Sequence, residues 1–211
     1  MNFQPTVFIV DDDPAIRNSL KWLLDSAGLN TQTFASAEDF LKHYNVYMIG
    51  CLVLDVRMPG ISGLQLQQQL NTQPHALPII FITGHGDVPL AVRAIKQGAV
   101  HFLEKPLDDQ ELLDTINNAL QQDHANQQLR LNTMSLQARY ANLTERETQV
   151  FNLVTRRYSN QSIAEELGIK IKTVEFHRAH MMEKMHADSL HDLLDMARIV
   201  QPELQQESLN E

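Results

Sequence analysis

Five times in the first 120 residues a short run of β-branched and apolar residues is followed by a stretch with helical spacing, and that alternation admits few folds. The runs are Thr6 to Val10, Thr31 to Phe34, Cys51 to Leu54, Pro78 to Thr83 and Val100 to Leu103. Several are apolar on both faces, as strands of a covered parallel sheet are. Behind the first, Pro14 to Ala27 carries Ile16, Leu20, Leu23, Leu24 and Ala27 at helical spacing, with Asp13 as a cap and Gly28 as a stop. The pattern predicts a doubly wound α/β domain over residues 1–122 with a five-stranded parallel sheet, whose ligand site lies at the carboxyl ends of the strands.

A chain of 211 residues leaves room for a second, smaller domain. After Gln121-Gln122-Asp123-His124-Ala125-Asn126-Gln127-Gln128 the composition is rich in Gln and Asn, with no Pro or Gly before Gly168. Residues 123–142 read as a linker, either a plain tether or, since Leu129, Leu136, Tyr140 and Leu143 form a helical stripe, a stiff helix able to self-associate. Residues 143–199 then hold four short helical patterns and predict an all-α domain. Thr144-Glu145-Arg146-Glu147 is a capping box ahead of Val150, Leu153 and Val154. Asn160 to Leu167 ends at Gly168, Lys172 to Met185 follows, and Ser189 caps a last helix ending near Ile199. Two helices joined by a tight glycine turn make a helix-turn-helix candidate. Residues 200–211 form an acidic tail with three glutamates.

Composition narrows the function classes. The single Cys51 forms no internal disulfide, which fits a reducing cytoplasm. The longest nearly apolar run, Val46 to Leu54, falls short of the roughly 18 residues of a membrane span, and the first residues lack the basic start of a signal peptide. The net charge of −9 is uneven. Residues 1–122 carry 7 basic and 13 acidic side chains, and residues 143–199 carry 8 and 9.

Polar residues gather where the first-domain strands end. Asp11-Asp12-Asp13 follows the first strand, Asp55 the third, Thr83 ends the fourth, and Lys105 follows the fifth. Carboxylates that close together repel unless a hard divalent cation neutralises them, and an oxygen site with retained waters suits Mg²⁺. Thr83 and Lys105 add a hydroxyl and a positive charge for a phosphoryl oxygen. Asp13, next to Pro14, reads as a helix cap. The others are too many to be five independent turn formers on one rim.

Asp11-Asp12, Leu54-Asp55-Val56-Arg57-Met58-Pro59-Gly60, Ile82-Thr83-Gly84 and Glu104-Lys105-Pro106 resemble the motifs of a response-regulator receiver domain. The resemblance implies that Asp55 accepts a phosphoryl group from a phosphohistidine on a sensor histidine kinase. It implies Mg²⁺ held by Asp12, Asp55 and the backbone carbonyl of Arg57, with Asp11 acting through water. Lys105 and Thr83 would contact the phosphoryl group and Phe102 would turn inward as an aromatic switch. A cis bond before Pro106 is usual in the family, the face from Asp87 to Leu103 commonly dimerises, and Arg57 and His85 stand at positions that tune hydrolysis of the aspartyl phosphate.

Leu143-Thr144-Glu145-Arg146-Glu147, Ser159-Asn160-Gln161-Ser162-Ile163-Ala164, Leu167-Gly168-Ile169 and Lys172-Thr173-Val174-Glu175-Phe176-His177-Arg178 resemble the LuxR-type helix-turn-helix. The whole chain is similar to response regulators of the FixJ/NarL family, the FixJ branch above all. On a helical wheel Val174, Met181 and Met185 face the core, while Lys172, Glu175, Phe176 and Ala179, with Thr173 beside them, face base edges. Arg178, Lys184, Lys170 and Arg156 or Arg157 are placed for phosphates. A domain with a net charge of −1 lacks the usual basic footprint, which implies modest affinity for a monomer and reliance on a dimer. Arg157 and Lys170 depart from the family, which favours glycine and a capping serine there.

The resemblance makes the chain a transcription factor controlled by phosphorylation, forming a homodimer on double-stranded promoter DNA, with RNA polymerase as a further partner and no membrane. A Mg²⁺-dependent phosphohydrolase using Asp55 is the alternative. It is disfavoured because Arg57, not an aspartate, stands two residues after Asp55. An autoinducer sensor is disfavoured because the front half reads as a receiver.

Overall fold

A computed structural model describes residues 4–84 and 88–202. The tuning position His85, the start of the expected moving face at Asp87, and the acidic tail from residue 203 onward lie outside the described residues. Two compact units occur, Met1–Gln127 and Gln128–Glu211.

In the first unit, β1 (Thr6–Val10), β2 (Asn30–Phe34), β3 (Gly50–Asp55), β4 (Ile79–Thr83) and β5 (His101–Glu104) begin and end within one residue of the expected runs. All pair in parallel, in the order β2-β1-β3-β4-β5. Alternate residues of the central strands serve opposite faces. Phe8, Val10, Leu52, Leu54, Ile79 and Phe81 pack against α2 (Ala37–His43), α3 (Gly63–Leu70) and α4 (Val88–Lys96), through Phe40, Leu66, Leu70 and Ala94. Val7, Ile9, Cys51, Val53, Ile80 and Ile82 pack against α1 (Pro14–Ser26) and α5 (Asp109–Ala141), through Leu20, Leu24, Leu112 and Ile116. Both faces are dry, which is why these strands read as apolar runs rather than as alternating ones.

Local signals start the helices, at Asp13 as expected. Asp13 caps α1 by accepting from the Ala15 amide, and Ser62 with Gln65 forms a capping box on α3. Gly50, with φ of 140°, has no substitute: a Cβ there would fall 1.8 Å from the Thr6 carbonyl oxygen. Helix α5 is 33 residues long, with no Pro or Gly along it, and ends at Ala141. Its buried stripe of Leu112, Thr115, Ile116, Ala119 and Asp123 sits at helical spacing. Asp123, assigned to the linker from sequence, is buried in the first unit, where its carboxylate accepts from the Gly50 amide and meets the His75 ring.

The second unit holds the end of α5 and four further helices, α6 (Glu145–Thr155), α7 (Asn160–Leu167), α8 (Ile171–Met185) and α9 (Leu190–Val200). Val150, Phe151, Val154, Ile163, Val174, Met181, Met185 and Leu193 make its core. Tyr140 of α5 stacks edge-on against Phe151 and Leu143 joins the core, so two residues of the proposed linker stripe are spent inside this unit. Gly168 is left-handed at the turn between α7 and α8.

The two departures from the family pattern show their cost here. Arg157 follows α6 with φ of 66°, a conformation glycine takes freely. Lys170 stands at the N-cap of α8 and supplies no side-chain bond to it. Arg157→Gly and Lys170→Ser are each expected to stabilise the second unit by about 1 kcal/mol. Thermal unfolding followed by circular dichroism checks this, and a lower melting temperature for both variants counts against it.

Candidate functional site

Because every strand of the first unit runs the same way, the chain emerges from β1, β3, β4 and β5 along one rim. Asp11 is 1% exposed, Asp55 7% and Thr83 1%. The Lys105 ammonium reaches between the two acids, 2.8 Å from Asp11 Oδ2 and 3.2 Å from Asp55 Oδ1. The other oxygens of these acids are held by backbone: the Asp13 amide donates to Asp11 Oδ1, and the Arg57 amide donates to Asp55 Oδ2. Asp12 is exposed at the edge of the pocket, as is the Arg57 side chain. Phe102 is partly buried against Phe81, ring centroids 6.3 Å apart. The bond between Lys105 and Pro106 is cis. Thus Asp11, Asp55, Lys105 and the backbone of Arg57 meet directly, and Thr83 and Asp12 lie on the same rim.

Burial and charge oppose each other here. Burial pushes the Asp55 carboxyl above the usual range, Lys105 pulls it back, and the neighbouring Asp11 raises it further, leaving it raised. For Lys105, burial alone would push the ammonium down, but the bond to Asp11 and the charges of both acids outweigh that and raise it. Two buried carboxylates share one ammonium, with Asp12 nearby, so the pocket keeps a negative excess and offers only oxygen donors. That chemistry fits a hard divalent cation. Among the described residues no three acidic, histidine or cysteine side chains already stand together as a metal-holding group.

In the second unit the exposed side of α8 shows Lys172, Glu175, Phe176 and Ala179, with Thr173 partly covered, and Val174, Met181 and Met185 point inward. Phe176 is 59% exposed and its ring lies 4.2 Å from that of His180, whose Nδ1 also meets the Phe176 carbonyl. Arg156 and Arg157 are exposed in the turn after α6. Two expected phosphate contacts are engaged elsewhere. The Lys184 ammonium donates to Glu147 at 2.6 Å, and Arg178 donates to Asn160 Oδ1 at 2.8 Å, bracing α8 against α7. Glu147 also accepts from the Thr144 amide, closing the capping box. Burial would raise its carboxyl, yet the bonds from Lys184 and Thr144 hold it below the usual range.

Comparison with known proteins decides what these two units are. The family "Response regulator receiver domain" matches residues 7–117, and "Bacterial regulatory proteins, luxR family" matches residues 141–197. The Transcriptional regulatory protein FixJ of Bradyrhizobium diazoefficiens is 43% identical over 191 residues, covering 90% of this chain and 93% of that protein. The chain belongs to the FixJ/NarL family of response regulators. Response regulator protein TodT of Pseudomonas putida is 44% identical over 188 residues, 89% of this chain and 83% of that one. The solved structure of response regulator StyR superposes with a TM-score of 0.84 at 46% identity, covering 92% of this chain and 98% of that one.

This response regulator is therefore a DNA-binding regulator of transcription, with the α/β receiver and all-α helix-turn-helix units expected. A receiver domain implies a kinase partner, a LuxR-type domain implies DNA, and receiver domains generally bind Mg²⁺ at their acidic site. No helix among the described residues is long and apolar enough to cross a membrane. Reading the sequence missed Arg17, whose guanidinium donates to the Asp11 carbonyl at 2.6 Å from one turn inside α1. It also missed Glu38, which accepts from the Ile61 amide at 2.9 Å across two loops. The Asp13 cap sets where α1 begins, and hence that the side chain at position 17 returns to the strand end. Nothing in the sequence announces Glu38.

Removing the ammonium leaves two buried acids facing each other, so Lys105→Met is expected to destabilise the receiver by about 1–3 kcal/mol in metal-free buffer at neutral pH. A raised folded-state acid contributes stability below its unfolded pKa and loses it as pH rises through the folded one. Asp55→Asn should thus raise the melting temperature by a few degrees at pH 7, a gain that shrinks as acid protonates the wild-type carboxyl. Melting curves between pH 4 and pH 8 check both, and a gain that grows on acidification contradicts the assignment.

Proposed function

We propose that Asp55 is the phosphoacceptor and that its acyl phosphate controls binding of α8 to promoter DNA. The observation that carries this reading is the Lys105 ammonium held between Asp55 and Asp11 at the strand ends. An Asp55 oxygen attacks phosphorus, a P–O bond forms, and the P–N bond to the imidazole of a sensor histidine kinase breaks. Lys105 and the Thr83 hydroxyl stabilise the phosphoryl oxygens. Asp55, Asp12 and the Arg57 carbonyl, with Asp11 through water, would hold Mg²⁺, whose charge shields the transferring group. The chain's only catalysis is on its own phosphoryl group, its transfer and hydrolysis. Arg57, with its side chain exposed, supplies no second acid for a phosphohydrolase.

An acyl phosphate brings about two negative charges, so its new bonds to Thr83 and Lys105 bias the loops around them and the partly buried Phe102. Val88, Val92 and Ile95 expose an apolar face on α4, which supports dimerisation of the phosphorylated form. The domain layout is a receiver at 1–122, a helical linker at 123–142, a DNA-binding domain at 143–199 and an acidic tail, in a cytoplasmic protein. A homodimer sets two α8 helices in successive major grooves, with RNA polymerase as a further partner. Lys172, Thr173, Glu175, Phe176 and Ala179 reach base edges and Arg156 and Arg157 reach phosphates, while Arg178 and Lys184 position α8.

Gel-shift titration of a promoter fragment tests the reading. Acetyl phosphate or BeF₃⁻ with Mg²⁺ is expected to tighten binding at least about tenfold, or ~1.4 kcal/mol, and Asp55→Asn to abolish the difference. Equal binding with and without the phosphate mimic overturns it. On the DNA side, Phe176→Ala should cost about 1 kcal/mol on the specific site and little on scrambled DNA, whereas Arg156→Ala should weaken both and lower the salt slope by about 1.

A further inference from the structure

The loop from Val56 to Ser62 carries the Arg57 amide that bonds Asp55, and it is tied down at both ends. The Val56 amide donates to the Ile82 carbonyl, and the Gly63 amide donates back to the Val56 carbonyl. Gly63 has no room for a side chain, since a Cβ there would lie 2.3 Å from the Asp55 carbonyl oxygen. The far side of the loop has one further anchor, and it comes from another element. Glu38, in the first turn of α2, accepts from the Ile61 amide through Oε1 at 2.9 Å. At Gly60, with φ of 75°, a Cβ would lie 2.4 Å from that same oxygen. A carboxylate and a bare backbone thus meet closer than any side chain at position 60 allows. Bonds from the Glu38 and Ile61 amides and from Ser36 hold the Glu38 carboxyl below the usual range, so it is charged at neutral pH.

We infer that Glu38 is a positioning residue for phosphoryl transfer, clamping the loop through Ile61 and Gly60 so that the Arg57 backbone stays aimed at Asp55. The inference rests on Asp55 being the phosphoacceptor. Glu38 touches no reacting atom. Its bond is charge-assisted and spans 23 residues of sequence, so its loss frees the loop rather than the sheet. Gly60 and Glu38 act as one contact, and disturbing either partner has the same consequence.

The test uses the full chain, with Glu38→Ala, Glu38→Gln and Gly60→Ala, and Asp39→Ala as the control, an acid in the same turn paired with His43 instead of the loop. Two quantities are read: amide hydrogen exchange at Ile61 and Arg57 in metal-free protein, and the rate of labelling by acetyl phosphate against Mg²⁺ concentration. Glu38→Ala and Gly60→Ala are expected to speed exchange at both amides and to slow labelling, each about tenfold. Glu38→Gln, which keeps an acceptor oxygen, restores most of both, and Asp39→Ala changes neither. A Glu38→Ala protein that melts earlier but exchanges at Arg57 and labels like wild type overturns the inference, as does a Glu38→Gln no better than Glu38→Ala. Wild type that takes no label, or Asp55→Asn that labels equally, overturns the phosphoacceptor reading itself.

Discussion

The Lys105 ammonium stands between two buried carboxylates, Asp11 and Asp55, and burial holds the Asp55 carboxyl above its usual range. Without it, Asp11 and Asp55 would repel at the one place where four parallel strands deliver polar residues to a common rim. With it, the pocket is held together yet keeps a negative excess, so it has both a reason to take up a cation and an amine ready for a phosphoryl oxygen. The stability of the receiver and its chemistry therefore draw on the same three side chains. Under the proposed function, a phosphoryl group on Asp55 would compete for Lys105, and that competition would turn a covalent event into motion.

The rest of the pocket is built from backbone. Asp11 and Asp55 each accept from an amide two residues on, and the loop that supplies the second amide is fastened by β4, by the Gly63 amide that closes it and by Glu38. Backbone donors cannot be replaced by mutation of their own side chains, so control passes to the residues that hold the loop. The second unit follows similar logic. Glu147 closes a capping box and captures Lys184, and Arg178 ties α8 to α7. The cations that look available for DNA on a helical wheel are partly consumed in fixing the angle at which Phe176 and its neighbours are presented.

Much of this was legible beforehand. Strand positions followed from apolar runs covered on both faces, helix starts from Asp13, Thr144 and Ser189, and the inward side of α8 from Val174, Met181 and Met185. The pocket acids were legible because parallel topology turns strand ends into a common location. Other residues were hidden. Asp123 looks like a linker residue in a polar segment, and only packing under the sheet shows it accepting from Gly50 and meeting His75.

Local periodicity and capping chemistry act within a few residues of themselves, so the order of elements, the strand positions and the rim on which Asp11, Asp55, Thr83 and Lys105 gather were determined by sequence alone, whereas the 33-residue length of α5 was left open. Which oxygen meets which donor was decided by tertiary structure, because those bonds close between residues distant along the chain, as from Glu38 to Ile61 or from Glu147 to Lys184. A long side chain such as Lys184 can satisfy its charge toward solvent, toward DNA or toward its own fold. Only the position of a partner acid in space selects among them.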